Sequence, residues 1–192
     1  MAGGRAERAV AAVRAMADEG VTALVSFGIA GGLDPALRPG ALIVGEAVAT
    51  GAGTLPCDKS LSDHLAAALA GAVRGIVAAS ESVVATAEAK RALHRATGAL
   101  AVDMESGPAA EAARELGLPF VIVRAVADPA ERGLPPAAAR GLDENGNVRL
   151  GAVLLSLARS PGQLPGLVRV GLDTRAALKA LAGAVPALAS LG

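Results

Sequence analysis

Three short segments carry residue types able to do chemistry. In Arg124-Ala125-Val126-Ala127-Asp128-Pro129 one carboxylate ends an apolar, β-branched run. An Asp before Pro commonly forms a turn. Shielded from water, the same carboxyl has a raised pKa and can act as a general acid. Such an acid can protonate a leaving group that would otherwise depart as an anion. Arg124 shares a face with Asp128 in an unbent strand, as a structural partner, a catalytic partner or neither.

Val102-Asp103-Met104-Glu105-Ser106 lies between a short apolar run and a helical pattern. Its acids can cap the helix N-terminus. Alternatively, Glu105 accepts hydrogen bonds from a ribose diol, which suits the two oxygens of a carboxylate, while Met104 packs on the sugar. Ser26-Phe27-Gly28-Ile29-Ala30-Gly31-Gly32-Leu33 is a glycine-rich stretch at the end of another apolar run. Its backbone N–H groups can face an anion or a sugar oxygen, or it can simply be a tight turn. It lacks the Gly-Lys-Ser/Thr of a phosphate-binding Walker loop and is no clean dinucleotide fingerprint.

These segments need elements to hold them. Helical spacing covers Arg5 to Glu19, with Gly20 ending it, then Ser60 to Val73, Thr86 to Thr97 and Ser106 to Leu116. Strands are expected at Val21 to Phe27, Ala41 to Ala49, Gly75 to Ala79, Leu100 to Val102 and Phe120 to Val126, with a loop at Gly51 to Pro56. The glycine stretch is expected as the loop after the first strand. Leu134 to Asn147 reads as a loop, followed by helices at Leu150 to Arg159 and Leu164 to Leu181, interrupted at Pro161-Gly162 and Pro165-Gly166. The alternation predicts a three-layer αβα sandwich around a mixed, largely parallel central sheet, whose sites lie at strand ends.

The 192 residues (18.7 kDa) suit one domain, with a core over 1–133 and a loop and C-terminal helices over 134–192. Eighteen basic and eighteen acidic residues leave no net charge, which argues against nucleic acid as partner. Trp and Tyr are absent and Phe occurs only at 27 and 120, so base-stacking platforms are missing too. The lone Cys57 excludes an internal disulfide and a cysteine zinc cluster, and neither His64 nor His94 forms a recognisable Cys/His signature with it. No apolar run approaches the roughly 20 residues of a membrane span, and Met1 to Arg8 has no signal core, so a cytoplasmic location is expected.

Taken together and in this order, the three segments resemble the nucleoside phosphorylase and nucleosidase family. Ser26 to Leu33 is similar to its glycine-rich loop, Asp103-Met104-Glu105 to its ribose-binding Met-Glu motif, and Ala127-Asp128 to its Ser-Asp catalytic pair. A narrower likeness, through Ser26 to Leu33, Ala101 to Ser106 and Arg159 to Pro165, is to the hopanoid-associated phosphorylase branch. The resemblance implies cleavage of a purine nucleoside, in that branch release of adenine from adenosylhopane. It casts Asp128 as general acid and Asp103, Met104, Glu105, Phe27, Val83 and Val84 as substrate contacts. Ser26, Gly28, Ile29 and Gly31 would shape the phosphate or nucleophile pocket. It implies no metal or organic cofactor, with inorganic phosphate as a potential co-substrate, and a homo-oligomer.

Four departures accompany it. Ile29 stands where relatives place Ser or Thr, Ala127 where they place Ser, and Val83 where a Phe lies on the purine. The family also has strands ahead of this chain's first helix, one bearing a Glu that activates the nucleophile. The sheet is therefore expected without them, and an N-terminally extended chain is expected to be more soluble and more active. One consequence is specific: Asp128 and Glu105 should line one shared hollow.

From Asn147 onward, five basic residues (Arg149, Arg159, Arg169, Arg175, Lys179) face one acid, Asp173, giving +4 there and −4 on the remainder. Interspersed leucines and valines make this an amphipathic region. It either packs on the sheet or offers a basic face to anionic lipid, and the latter would suit a nucleoside-lipid substrate at the inner membrane.

Overall fold

In the computed structural model, residues 4–135 and 161–191 are described. Helix α1 (Gly4–Asp18) leads into β1 (Leu24–Gly32), β2 (Leu42–Thr50) and β3 (Gly53–Pro56). Then come α2 (Lys59–Ala68), β4 (Val73–Ala79), α3 (Ala87–Thr97), β5 (Ala101–Asp103), α4 (Ser106–Glu115) and β6 (Phe120–Asp128). A short 3₁₀ turn (Pro161–Gln163) opens the long α5 (Leu164–Ala189). The expected loop is therefore described only as far as residue 135, and the helix expected at Leu150 to Arg159 lies outside the described residues.

Capping chemistry sets the helix ends. Asp58 accepts the Leu61 N–H at 3.0 Å, and Thr86 accepts that of Ala89 at 3.1 Å. Gly98 closes α3 in the left-handed conformation, φ +67°. The second helix is shorter than its apolar spacing suggests. It stops at Ala68, Gly71 turns the chain at φ +80°, and Val73 already belongs to β4.

The α/β fold is built on a mixed sheet in the order β3-β2-β4-β5-β1-β6. Its longer ladders, β1–β6 and β2–β4, are parallel. Leu42 to Val44 of β2 also pair antiparallel with Val123 to Ala125 of β6, so the strand order closes on itself. Along β6 the side chains alternate. Phe120, Ile122 and Val126 join the cluster under α1 and α4, whereas Val121 and Val123 join the cluster under α2 and α5. In β2 a register shift between Gly45 and Ala47 reverses the parity, which puts Ile43 and Val48 into one core.

Two expectations about loops are corrected. The glycine stretch is strand: β1 continues through Gly28 to Gly32 because β6 supplies a partner from Leu24–Phe120 to Gly31–Asp128 and β5 pairs with Gly31 and Gly32. Glycine is needed at the far end. A Cβ on Gly32 would sit 3.0 Å from Val126 Cγ1 and 3.3 Å from the Asp128 carbonyl oxygen. Residues 53–56 likewise form β3, a hairpin partner of β2, tightened by Thr50 Oγ1 donating to the Gly53 carbonyl at 3.0 Å. Helix α5 also runs unbroken through Pro165-Gly166, because Pro165 falls in the first turn, where its missing N–H costs nothing.

Small residues let α4 press onto the sheet. Ala109, Ala110, Ala112 and Ala113 are buried, and a Cβ on Gly107 would come within 2.6 Å of that of Ala79. This close seat brings the N-terminus of α4, and with it residues 103–106, against β1 and β6.

Candidate active site

Three consecutive residues of the acidic motif go three ways, because the chain turns from β5 into α4. Asp103 points inward and is buried. Its Oδ1 accepts the backbone N–H groups of Glu105 (3.0 Å) and Ser106 (2.7 Å), and its Oδ2 accepts from Ser106 Oγ and from Arg124 Nε. Arg124, 3% exposed, completes the network with Nη2 donating to Ser26 Oγ at 2.6 Å and Ser106 Oγ at 2.8 Å, and Nη1 donating to the Val123 carbonyl at 3.2 Å. Asp103 thus both accepts the first backbone N–H of α4 and is the counter-ion of Arg124. The partner of Arg124 is Asp103, not Asp128.

Glu105 lines a cavity of about 310 Å³ between α1, α4 and the first half of β1, together with Arg8, Met16, Ser26 and Phe120. Met104 lines a second cavity, of about 400 Å³, with Thr50, Ser80, Glu81 and Glu111. Asp128 lines neither of them. The single hollow expected for positions 105 and 128 is therefore not one of these two. Along β1, Ser26 lies near the start, opposite Ile122, and Gly31 near the end, opposite Asp128.

The remaining candidates separate by face. Gly28 lies over the guanidinium, where a Cβ would meet Arg124 Nη1 at 3.5 Å. Phe27 projects to the other side and packs with Leu42, Ala125, Ala127 and Leu181 under α5. Ile29 is exposed. After β4, Val83 is exposed, while Val84 packs with Leu33, Ala78 and Val102.

Asp128 ends β6 with its side chain 16% exposed. Burial pushes its carboxyl above the ordinary Asp range, and the nearby positive charges of Lys90 and Arg132 work against that shift. Lys90 of α3 was not singled out in the sequence. Its side chain is fully buried, and its ammonium donates to Asp128 Oδ2, to the Pro129 carbonyl (2.9 Å) and to the Arg132 carbonyl (2.9 Å). A signal existed: Lys90 stands three residues before Leu93 and seven before Thr97, on the packed face of the helix. Cys57 is buried and its thiol is pushed up to about 11 by that burial, which disfavours the nucleophilic thiolate. Among the described residues no group of three or more His, Cys, Asp or Glu side chains is placed to hold a metal ion.

Several solved structures share this fold. S-adenosylhomocysteine nucleosidase from Streptococcus pyogenes matches with a TM-score of 0.59 at 23% identity, over 64% of this chain and 61% of that one. A futalosine hydrolase mutant of Helicobacter pylori strain 26695 gives 0.59 at 22% identity, over 65% of each chain. The 5′-methylthioadenosine/S-adenosyl homocysteine nucleosidase of Helicobacter pylori gives 0.64 at 18% identity, over 93% of this chain and 74% of that one. The match thus spans under two thirds of the first two of these structures. No curated protein matches the chain. The sequence model of the phosphorylase superfamily matches residues 3–158, most of the length, and the chain belongs to that superfamily.

Proposed function

We propose that the protein cleaves the N-glycosidic bond of a purine nucleoside, with Asp128 as the general acid. The observation that carries this reading is a partly buried carboxyl, raised by its surroundings, at the C-terminal end of a parallel strand, where ligands of such sheets bind. A protonated Asp128 gives its proton to purine N7. The C1′–N9 bond breaks with its electron pair going to the base; phosphate adds to C1′, or water adds and loses a proton to solvent, and solvent returns a proton to Asp128. Glu105 and Ser26 line a cavity that does not include Asp128, so their candidacy for the sugar hydroxyls rests on the sequence likeness.

The substrate we favour is adenosylhopane, which rests on the sequence likeness to the hopanoid-associated branch. The test is adenine release from adenosylhopane with and without phosphate. Release in both conditions indicates hydrolysis, and release only with phosphate indicates phosphorolysis. Turnover of 5′-methylthioadenosine but not of the lipid moves the assignment to an ordinary nucleosidase, and tight binding of nucleosides without turnover leaves a binding protein.

One surface favours the lipid substrate. Leu164, Val168, Leu172, Leu178 and Val185 of α5 are all more than half exposed among the described residues, and Arg169, Arg175 and Lys179 are exposed on the same helix. No described helix is long and apolar enough to cross a membrane, so any lipid contact by these helices would be interfacial. Co-sedimentation with anionic vesicles is expected to exceed that with neutral vesicles severalfold at low salt and to fall as salt rises. Equal recovery from both would remove the membrane role.

A further inference from the structure

We propose that Lys90 is the positioning residue for Asp128: its ammonium holds Oδ2, which leaves Oδ1 as the oxygen that carries the transferable proton, and it neutralises the carboxylate that remains once that proton has gone. This role rests on the proposed function of Asp128.

The geometry is that of a charged amine. An ammonium has three N–H donors, and Lys90 meets three acceptors, the Asp128 carboxylate and the carbonyls of Pro129 and Arg132. A neutral amine would leave one of them unpaired. Lys90 also sits in the first turn of α3, the positive end of a helix, with no access to water. A cation is disfavoured there, and the three oxygen acceptors are what hold it. The same three bonds tie Asp128 and the carbonyls of Pro129 and Arg132 to α3.

During the reaction the Oδ1–H bond breaks as the N7–H bond forms, and Asp128 passes from neutral acid to anion. The Lys90 ammonium keeps its own protons throughout. It opposes the uncharged starting form and favours the charged product, so it makes Asp128 a stronger acid. The other charges around the carboxyl are Arg132 on the following loop and Asp173 of α5, which bond each other at 2.7 Å, while β1 contributes only glycine beside it.

Lys90→Met tests the role. Without the cation the carboxyl holds its proton to higher pH, so the alkaline limb of the kcat/KM profile should move upward by about 1–3 pH units. Since Lys90 touches no solvent, KM should stay within about twofold while kcat falls about tenfold or more. An unmoved limb, or a fall in kcat/KM carried by KM alone, overturns the proposal. If Lys90→Met does not fold, the wild-type protein labelled at lysine ¹³Cε answers instead. It has three lysines, and Lys59→Arg and Lys179→Arg assign the third signal by elimination. That signal should shift with the ionisation seen in the alkaline limb and lose the inflection in Asp128→Asn; a signal that ignores Asp128 refutes the pairing. Full adenine release by Asp128→Asn would sink the proposed function itself. An inactive Asp128→Asn with an unmoved limb in Lys90→Met would sink only the role of Lys90.

Discussion

Asp128→Asn is expected to reduce adenine release by about 10²- to 10⁴-fold, the usual worth of a positioned general acid. The amide has nearly the shape of the acid, still accepts a bond from Lys90 through its oxygen, and has no proton to give at neutral pH. The loss should therefore fall on kcat, with the fold intact by circular dichroism. A substrate whose leaving group needs no protonation, such as a nitrophenyl riboside, should recover much of the rate with the variant. Retained turnover of the purine substrate would show that the base leaves without help from position 128.

Arg124→Met is expected to destabilise the protein by about 3–5 kcal/mol, since removing one partner strands the other charge inside. For a chain of this size that corresponds to a fall in Tm of roughly 6–20 °C. Asp103 would keep Ser106 and the α4 amides but lose its counter-ion, and the hydroxyls of Ser26 and Ser106 would each lose a donor. Lysine should rescue poorly, because one point charge cannot reach Asp103 and both serines as the guanidinium fork does. Combining Arg124→Met with Asp103→Asn should cost clearly less than the two single changes added together. Additive losses, or a Tm within about 2 °C of wild type for Arg124→Met, would show the network to be incidental. Of the alternatives open for Arg124, the contacts favour a structural partner, since Arg124 and Asp103 bond each other and the start of α4.

Local chemistry was legible wherever it acts within a few residues. The Thr86 cap and Gly98 stop of α3 follow from side-chain oxygens and left-handed glycine, and β6 follows from its run of β-branched residues. The glycine stretch reads as a loop because glycine weakens a strand locally, whereas β6 pairs with it through Gly31 and β5 pairs with Gly31 and Gly32. Propensity likewise extended α2 to residue 73, but pairing of Val73 with Ile43 claimed that end for the sheet.

What the chain determines by itself is the α/β alternation, the superfamily, and the identity of Asp128, Glu105 and Ser26 as groups worth testing. Each follows from residue type, period and order, which survive any packing arrangement. Only the tertiary structure decided which groups meet. It buried Lys90 against Asp128, 38 residues away, tied Arg124 to Asp103, 21 residues away, and turned Glu105 and Met104 toward different cavities. Such pairings depend on strand order and on how closely α4 and α3 sit on the sheet, and these are properties of the packed molecule that no local pattern records.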